Sequence, residues 1–238
     1  MREESLRFES YDLEASGFVR PSAALRRMQQ AAREDLNSFG ISYEDMRERN
    51  MAFVVSRISL VYERPLKGET PLRLLTAACP TRGAAFPRAF RIEDDEGVCM
   101  RAMSQWALLD FEKRALLRPS ALWAEIPTFE DLSDGVVCER LARPKGVEAD
   151  FFDERRVYAS MLDQNNHLNN CNYADLATDL LPEGSGEVRC IHISFQHEAR
   201  LGEVLRMEGY RSEEGDFLVS GAFRDREESC FLCKISTF

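Results

Sequence analysis

Lysine is nearly absent from this 238-residue chain: it stands only at 67, 113, 145 and 234, and the rest of its 31 cationic residues are arginines. Acidic residues number 41, leaving a formal charge of −10. A nucleic-acid surface needs clustered cations in excess, so that class is excluded, while a local arginine patch facing an acidic partner stays open. Long apolar runs are missing too. None has the length of a membrane span, and the opening MREESLRFESYD lacks the apolar centre of a secretory signal, so a cytoplasmic protein without a membrane span is expected. Cysteine is present in an odd number, seven, which fits reduced thiols better than a disulfide framework. Cys230 and Cys233 form one CxxC, but on a strand they would face opposite sides and no second pair completes a zinc site. No metal and no cofactor are expected. What the chain does have is 44% hydrophobic residues, enough for a sizeable core.

Histidine is scarce as well, with only three, and one of them sits in the most informative stretch, MLDQNNHLNNCNY at 161–173. Asp163, Asn165 and His167 occupy alternate positions, and an extended backbone would point all three to one side. An imidazole can move a proton near neutral pH, an amide can stabilise an oxyanion, and a carboxylate can fix an imidazole tautomer. The plainer reading is an Asn-rich turn in which Asn169 and Asn170 cap the following helix.

Around this stretch the chain falls into two similar halves. Pro21 and Ser22 open an amphipathic helix with apolar positions Leu25, Met28, Ala32, Leu36 and Phe39, closed by Gly40. β-rich runs follow at 51–63, 72–79, 86–93 and 98–111, separated by KGET, TRGA and EDDEG, and a short strand is open at Leu6–Leu13. Residues 112–154, with Pro119, Pro127, Pro144 and the loop-like TFEDLSDG, read as a long surface connection. The order then repeats. A strand at 155–161 leads through the Asn/His stretch into a helix with Tyr173, Leu176, Leu180 and Leu181 on one face. Strands follow at 187–197, 203–210, 217–224 and 230–238, and VYERPLKGETPLRL (61–74) lies opposite SFQHEARLGEVLRM (194–207). This is a diverged internal duplication, so an α+β chain is expected in which two antiparallel sheets join, each wrapping a helix.

The segments LDQNNHLNN, RMQQAAREDLNSFGIS, FVVSRISLVYERPLKGE and SQWALLDFEKRALLRPS together resemble the acyl-acyl-carrier-protein thioesterase family, over nearly the whole chain from about Glu9. The resemblance implies a double hotdog fold and cleavage of the thioester between a fatty acyl chain and the phosphopantetheine arm of acyl carrier protein, terminating fatty-acid synthesis without a metal. It also implies a catalytic set of Asp163, Asn165, His167 and, in the following strand, Glu198. The family often carries Cys directly after that acid. Here the residue is Ala199, so a cysteine nucleophile at that place cannot operate.

A thioester is already activated and its thiolate leaves readily, so a positioned water and a stabilised oxyanion suffice for its hydrolysis. Glu198 or Asp163 would orient and deprotonate the water, Asn165 and a backbone N–H near the second helix would hold the oxyanion, and His167 would shuttle a proton to the thiolate. The division of labour among Glu198, Asp163 and His167 stays open. Cys171, four residues after His167, is a rival nucleophile whose plainer role is packing. His197 should face away from Glu198, whereas His192 shares its strand parity.

All three histidines lie in the second half; where that half has His167 the first offers DLEASGFVRPS at 12–22. The expected organisation is therefore an acyl-binding N-terminal hotdog (1–111), a connecting segment (112–154) and a catalytic C-terminal hotdog (155–238). The acyl chain would lie near Leu25, Met28, Ala32, Phe53, Val55 and Phe86, each of which is otherwise ordinary core. Two other functions compete: a hotdog thioesterase acting on acyl-CoA, which would grip nucleotide phosphates with a basic or Gly-rich run not found here, and a non-catalytic acyl-binding protein. The family resemblance, and nothing else in the sequence, points to a homodimer as the assembly.

Overall fold

The computed structural model describes residues 1–130 and 132–238; Asp131, inside TFEDLSDG, lies outside the described residues. The periodic segment after Pro21 forms α1 (Pro21–Ser38), with proline in its first turn, where a missing N–H costs nothing. Gly40 takes φ 74° beyond its end, and the Ile41 N–H closes back on the Leu36 carbonyl at 3.1 Å. Ala24, Leu25, Met28 and Ala31 make the buried stripe of α1. Burying residues such as Leu25 and Met28 stabilises the fold by about 1.5–3 kcal/mol each.

The strands are β1 (Arg2–Leu6), β2 (Met51–Tyr62), β3 (Leu72–Ala78), β4 (Ala85–Asp94), β5 (Gly97–Asp110), β6 (Ala115–Leu116), β7 (Phe151–Arg156), β8 (Val188–Phe195), β9 (Val204–Arg211), β10 (Phe217–Phe223) and β11 (Ser229–Thr237). They form one sheet in the order β1-β3-β4-β5-β2-β8-β11-β10-β9-β7, with β6 added on β5. Every ladder is antiparallel. The order is symmetric about the β2–β8 seam, where Arg57 to Val61 pair with Ser194 to Cys190. This is the duplicated architecture expected from the sequence, and α1 packs against one face of it.

Four local expectations change. The first strand covers Arg2–Leu6, and a 3₁₀ turn at Ser10–Asp12 occupies the region read as strand up to Leu13. A short helix, α2 (Tyr43–Glu48), is added where Ser42 and Asp45 form a capping box, the Ser42 Oγ accepting from the Asp45 N–H at 3.0 Å. In the second half β7 begins four residues before the predicted strand, and Ala159–Met161 is a 3₁₀ turn. The second helix, α3 (Asn172–Thr178), has seven residues and stops before Leu180 and Leu181, which pack on the core from beyond its end.

The connecting segment straps the sheet's outer face. Thr128 bridges Ala78 on β3, the Cys138 thiol donates to the Met103 carbonyl on β5 at 3.1 Å, and Glu139 meets His192 on β8 and Lys234 on β11 at 3.6 and 3.8 Å. Asp150 then donates its N–H to Gly209 on β9 at 2.9 Å. Ile191 and Ile193, alternating with His192, belong to the core on the opposite face with α1. On β10 a glycine is required for packing: a Cβ at Gly221 would stand 2.3 Å from Phe231, the ring that stacks edge-on with Tyr173 below the site described next.

Candidate active site

The Asp163–His167 segment is a tight turn, not the extended run expected. The Asp163 N–H donates to the His167 carbonyl at 2.8 Å, Leu162 bridges Leu168, and Asn166 sits at φ 61°, a left-handed conformation that Asn tolerates better than most residues. Asp163 builds this turn. Its Oδ1 accepts the N–H groups of Asn165 and His167 at 2.8 and 3.2 Å, and its Oδ2 faces Asn165 Nδ2 at 3.5 Å. An acceptor so engaged orders the turn's backbone and is badly placed to take a proton from water.

The turn is zipped to the segment after β8 by a His167–Arg200 bridge and by the Leu168 N–H, which donates to the Ala199 carbonyl at 2.7 Å. That zipper brings the two main candidates together, with His167 Nε2 standing 3.4 Å from Glu198 Oε1. Glu198 is not on a strand. β8 ends at Phe195, and the Cys230 carbonyl accepts from both the Gln196 and His197 N–H groups, at 2.9 and 3.1 Å, which breaks the alternation. The parity linking His192 to Glu198 therefore fails: His192 lies on the strapped face, within 2.6 Å of the Ser59 hydroxyl. His197 has its ring bonded to the Ser229 carbonyl at 2.8 Å, a structural contact.

Arg200 Nη2 donates to Glu198 Oε1 at 2.7 Å. Partial burial pushes the Glu198 carboxyl up, but the Arg200 hydrogen bond and the charges of His167, Arg200 and Arg114 outweigh it and hold the group below its ordinary value. The His167 and Glu198 side chains are 29% and 51% exposed, so the pair is open to solvent. Beneath it, the Tyr173 ring packs edge-on against Phe195 and Phe231. Cys171 is fully buried, and burial pushes its thiol up to about 12, which removes it as a nucleophile. The expected capping of the second helix by Asn169 and Asn170 is not made: Cys171 stands at the cap position with no side-chain cap, and Asn169 Oδ1 instead accepts the Cys171 N–H at 2.9 Å in the turn before the helix. Ala199 is also fully buried, its methyl directed into the core.

Asn165 is met from the other half. Tyr43, the first residue of α2, donates its hydroxyl to Asn165 Oδ1 at 2.8 Å. Tyr43 and Arg200 were not singled out from the sequence. Arg200 lies two residues beyond Glu198, a spacing that could have suggested a neighbour, whereas Tyr43 is separated from Asn165 by 122 positions and carries no local signal.

The first half contains the same turn without its chemistry. Leu13 bridges Val19, the Glu14 N–H donates to the Phe18 carbonyl at 2.8 Å, Gly17 takes φ 82°, and Phe18 bridges Lys67. The Val19 N–H donates to the Leu66 carbonyl as that of Leu168 does to Ala199. Asn165 thus corresponds to Ser16, His167 to Phe18 and Glu198 to Pro65: one copy has an amide, an imidazole and a carboxylate where the other has none. Of the expected acyl-chain residues, Leu25, Met28 and Ala32 belong to the main core, whereas Phe53 and Phe86 meet edge-on at 5.0 Å in a second cluster around Ile41, Met46 and Leu108. Val55 is buried. None of the six lines either of the two cavities described, one beside β1 and β3 and one on the strapped face. Among the described residues no helix is long and apolar enough to cross a membrane.

No curated protein matches the chain. Among solved structures it is similar to an acyl-ACP thioesterase from Bacteroides thetaiotaomicron, with a TM-score of 0.84 at 17% identity over 99% of this chain and 96% of that one. It is also similar to the 12:0-ACP thioesterase from Umbellularia californica, with a TM-score of 0.82 at 17% identity and the same coverage of 99% and 96%. Likeness at that identity speaks for the fold, the double hotdog. Residues 2–125, just over half of the chain, match the model of the acyl-ACP thioesterase N-terminal domain, and the chain therefore belongs to the acyl-ACP thioesterase family, whose reaction is hydrolysis of acyl-ACP.

Proposed function

We propose that this thioesterase cleaves fatty acyl-ACP with a water held beside the His167–Glu198 pair, the observation that carries the reading being their 3.4 Å approach. At that separation no water fits in line between the two atoms, so the reacting water lies to one side of the pair, within reach of the imidazole. Glu198, kept ionised by Arg200, serves to orient the imidazole and stabilise its protonated form. His167 takes the proton as the water oxygen bonds to the thioester carbon. Asn165 Nδ2 donates to the resulting oxyanion. When the carbon–sulfur bond breaks, the proton passes from His167 to the departing thiolate, leaving a free fatty acid and the carrier's phosphopantetheine thiol. Asp163 acts by shaping the turn.

In this reading residues 155–238 are the catalytic hotdog and residues 112–154 a connection. Residues 1–111 receive the acyl chain near Leu25, Met28, Ala32, Phe53, Val55 and Phe86. The protein works in the cytoplasm as a homodimer. The test is release of free fatty acid from acyl-ACP by His167→Ala and Glu198→Ala, each expected to lose about a hundredfold or more in turnover. Near-normal turnover in either would end the assignment.

A further inference from the structure

From the Tyr43–Asn165 contact we infer that the non-catalytic half sets the orientation of the oxyanion donor, Tyr43 being a positioning residue for the reaction carried out by the other half. The inference rests on the assignment of Asn165 as that donor. A carboxamide can present either of two chemically opposite ends. Its N–H₂ stabilises a developing oxyanion, whereas its carbonyl oxygen would repel one, and rotation by half a turn exchanges them.

Two neighbours select the useful orientation. The Asp163 carboxylate, an acceptor when ionised, faces Asn165 Nδ2 at 3.5 Å, and the Tyr43 hydroxyl donates to Oδ1 at 2.8 Å. One Nδ2 hydrogen faces Asp163, and the other is left for the substrate oxygen. With the phenol removed, only the longer contact would resist rotation.

Tyr43 is itself held in place. It opens α2 immediately after Ser42, whose capping box with Asp45 fixes the helix start. The guanidinium groups of Arg33 and Arg47 lie 5.5 and 5.8 Å from its ring centre, within cation–π range, and draw electron density from the ring, which makes the hydroxyl a better donor. Asn165, by contrast, is exposed at the tip of its turn and needs an external partner.

Tyr43→Phe keeps the ring and both arginine contacts and deletes one oxygen. On acyl-ACP its kcat should fall about tenfold with KM within about twofold, the pattern of an interaction realised in the transition state. The same change made in an Asn165→Ala background should cost nothing more, because the group it positions is gone. A wild-type kcat for Tyr43→Phe beside a crippled Asn165→Ala would overturn the positioning role alone, as would a raised KM at unchanged kcat. Losses that multiply in the double variant would also overturn it. Full activity of Asn165→Ala would instead remove the donor assignment on which the inference stands. Unchanged thermal midpoints should accompany the expected result.

Discussion

Arg200 and His167 converge on one oxygen: the Arg200 guanidinium reaches Glu198 Oε1 at 2.7 Å and the His167 imidazole lies 3.4 Å from the same atom. Arg200 therefore acts as a counter-charge that keeps Glu198 ionised beside the imidazole.

The first prediction follows from this arrangement. With the Glu198 carboxyl held low, its ionised form persists to lower pH than that of a free glutamate. Replacing Arg200 by Gln removes a positive charge and makes protonation of Glu198 easier. The acid limb of the kcat/KM profile on acyl-ACP should then move to higher pH, with solvent screening at this exposed site keeping the displacement modest. An acid limb that stays in place, or moves to lower pH, would show that Arg200 does not govern this carboxylate.

A second prediction concerns Cys171. The thiol is sealed in the core with its ionisation pushed up to about 12, so Cys171→Ser should keep wild-type kcat at moderate cost in stability, about 1–3 kcal/mol for a buried hydroxyl. Turnover measured alongside a denaturant melt checks both halves of the statement.

Third, selectivity for chain length should respond to Ala32, buried on the inner stripe of α1. Ala32→Phe is expected to shift the released acids toward shorter chains, at an overpacking cost of about 1–3 kcal/mol. The free fatty acids released from a panel of acyl carrier proteins give the answer. An unchanged profile in a folded variant would count against an acyl site in the first half.

Fourth, α1 is tied to β4 by a buried ion pair. Arg88 Nη1 lies 2.8 Å from Asp35 Oδ2, with the two side chains only 6% and 4% exposed, and it also donates to the Thr76 hydroxyl at 3.1 Å. Arg88→Leu alone leaves a buried carboxylate unpaired and should cost about 3–5 kcal/mol. Adding Asp35→Leu should recover most of that loss in equilibrium unfolding.

The elements legible in the sequence are those whose side-chain period is long and regular. α1 shows as apolar residues three and four apart ending at a glycine, and the strands of both halves show within a residue or two at most ends. The duplication was visible in the order of elements, and Asp163, Asn165, His167 and Glu198 are gathered in one place. What went unread depended on backbone events with no period. Asn166 turns left-handed and converts an extended run into a tight turn, and the Cys230 carbonyl takes two N–H groups and ends β8 before Glu198. α2 escaped because it has six residues, although Ser42 and Asp45 announce its start. The Tyr43–Asn165 contact joins the two halves, and neither neighbourhood alone implies it.

Because β2 and β8 are stitched to each other at the seam, the ends of the sheet's main strand path are β1 and β7. Both margins are studded with charge: Arg2, Glu3 and Glu4 on one, Asp153, Glu154, Arg155 and Arg156 on the other. Such strands repel further strand addition, so end-to-end growth of the sheet into a polymer is disfavoured and a second copy would have to join through a face.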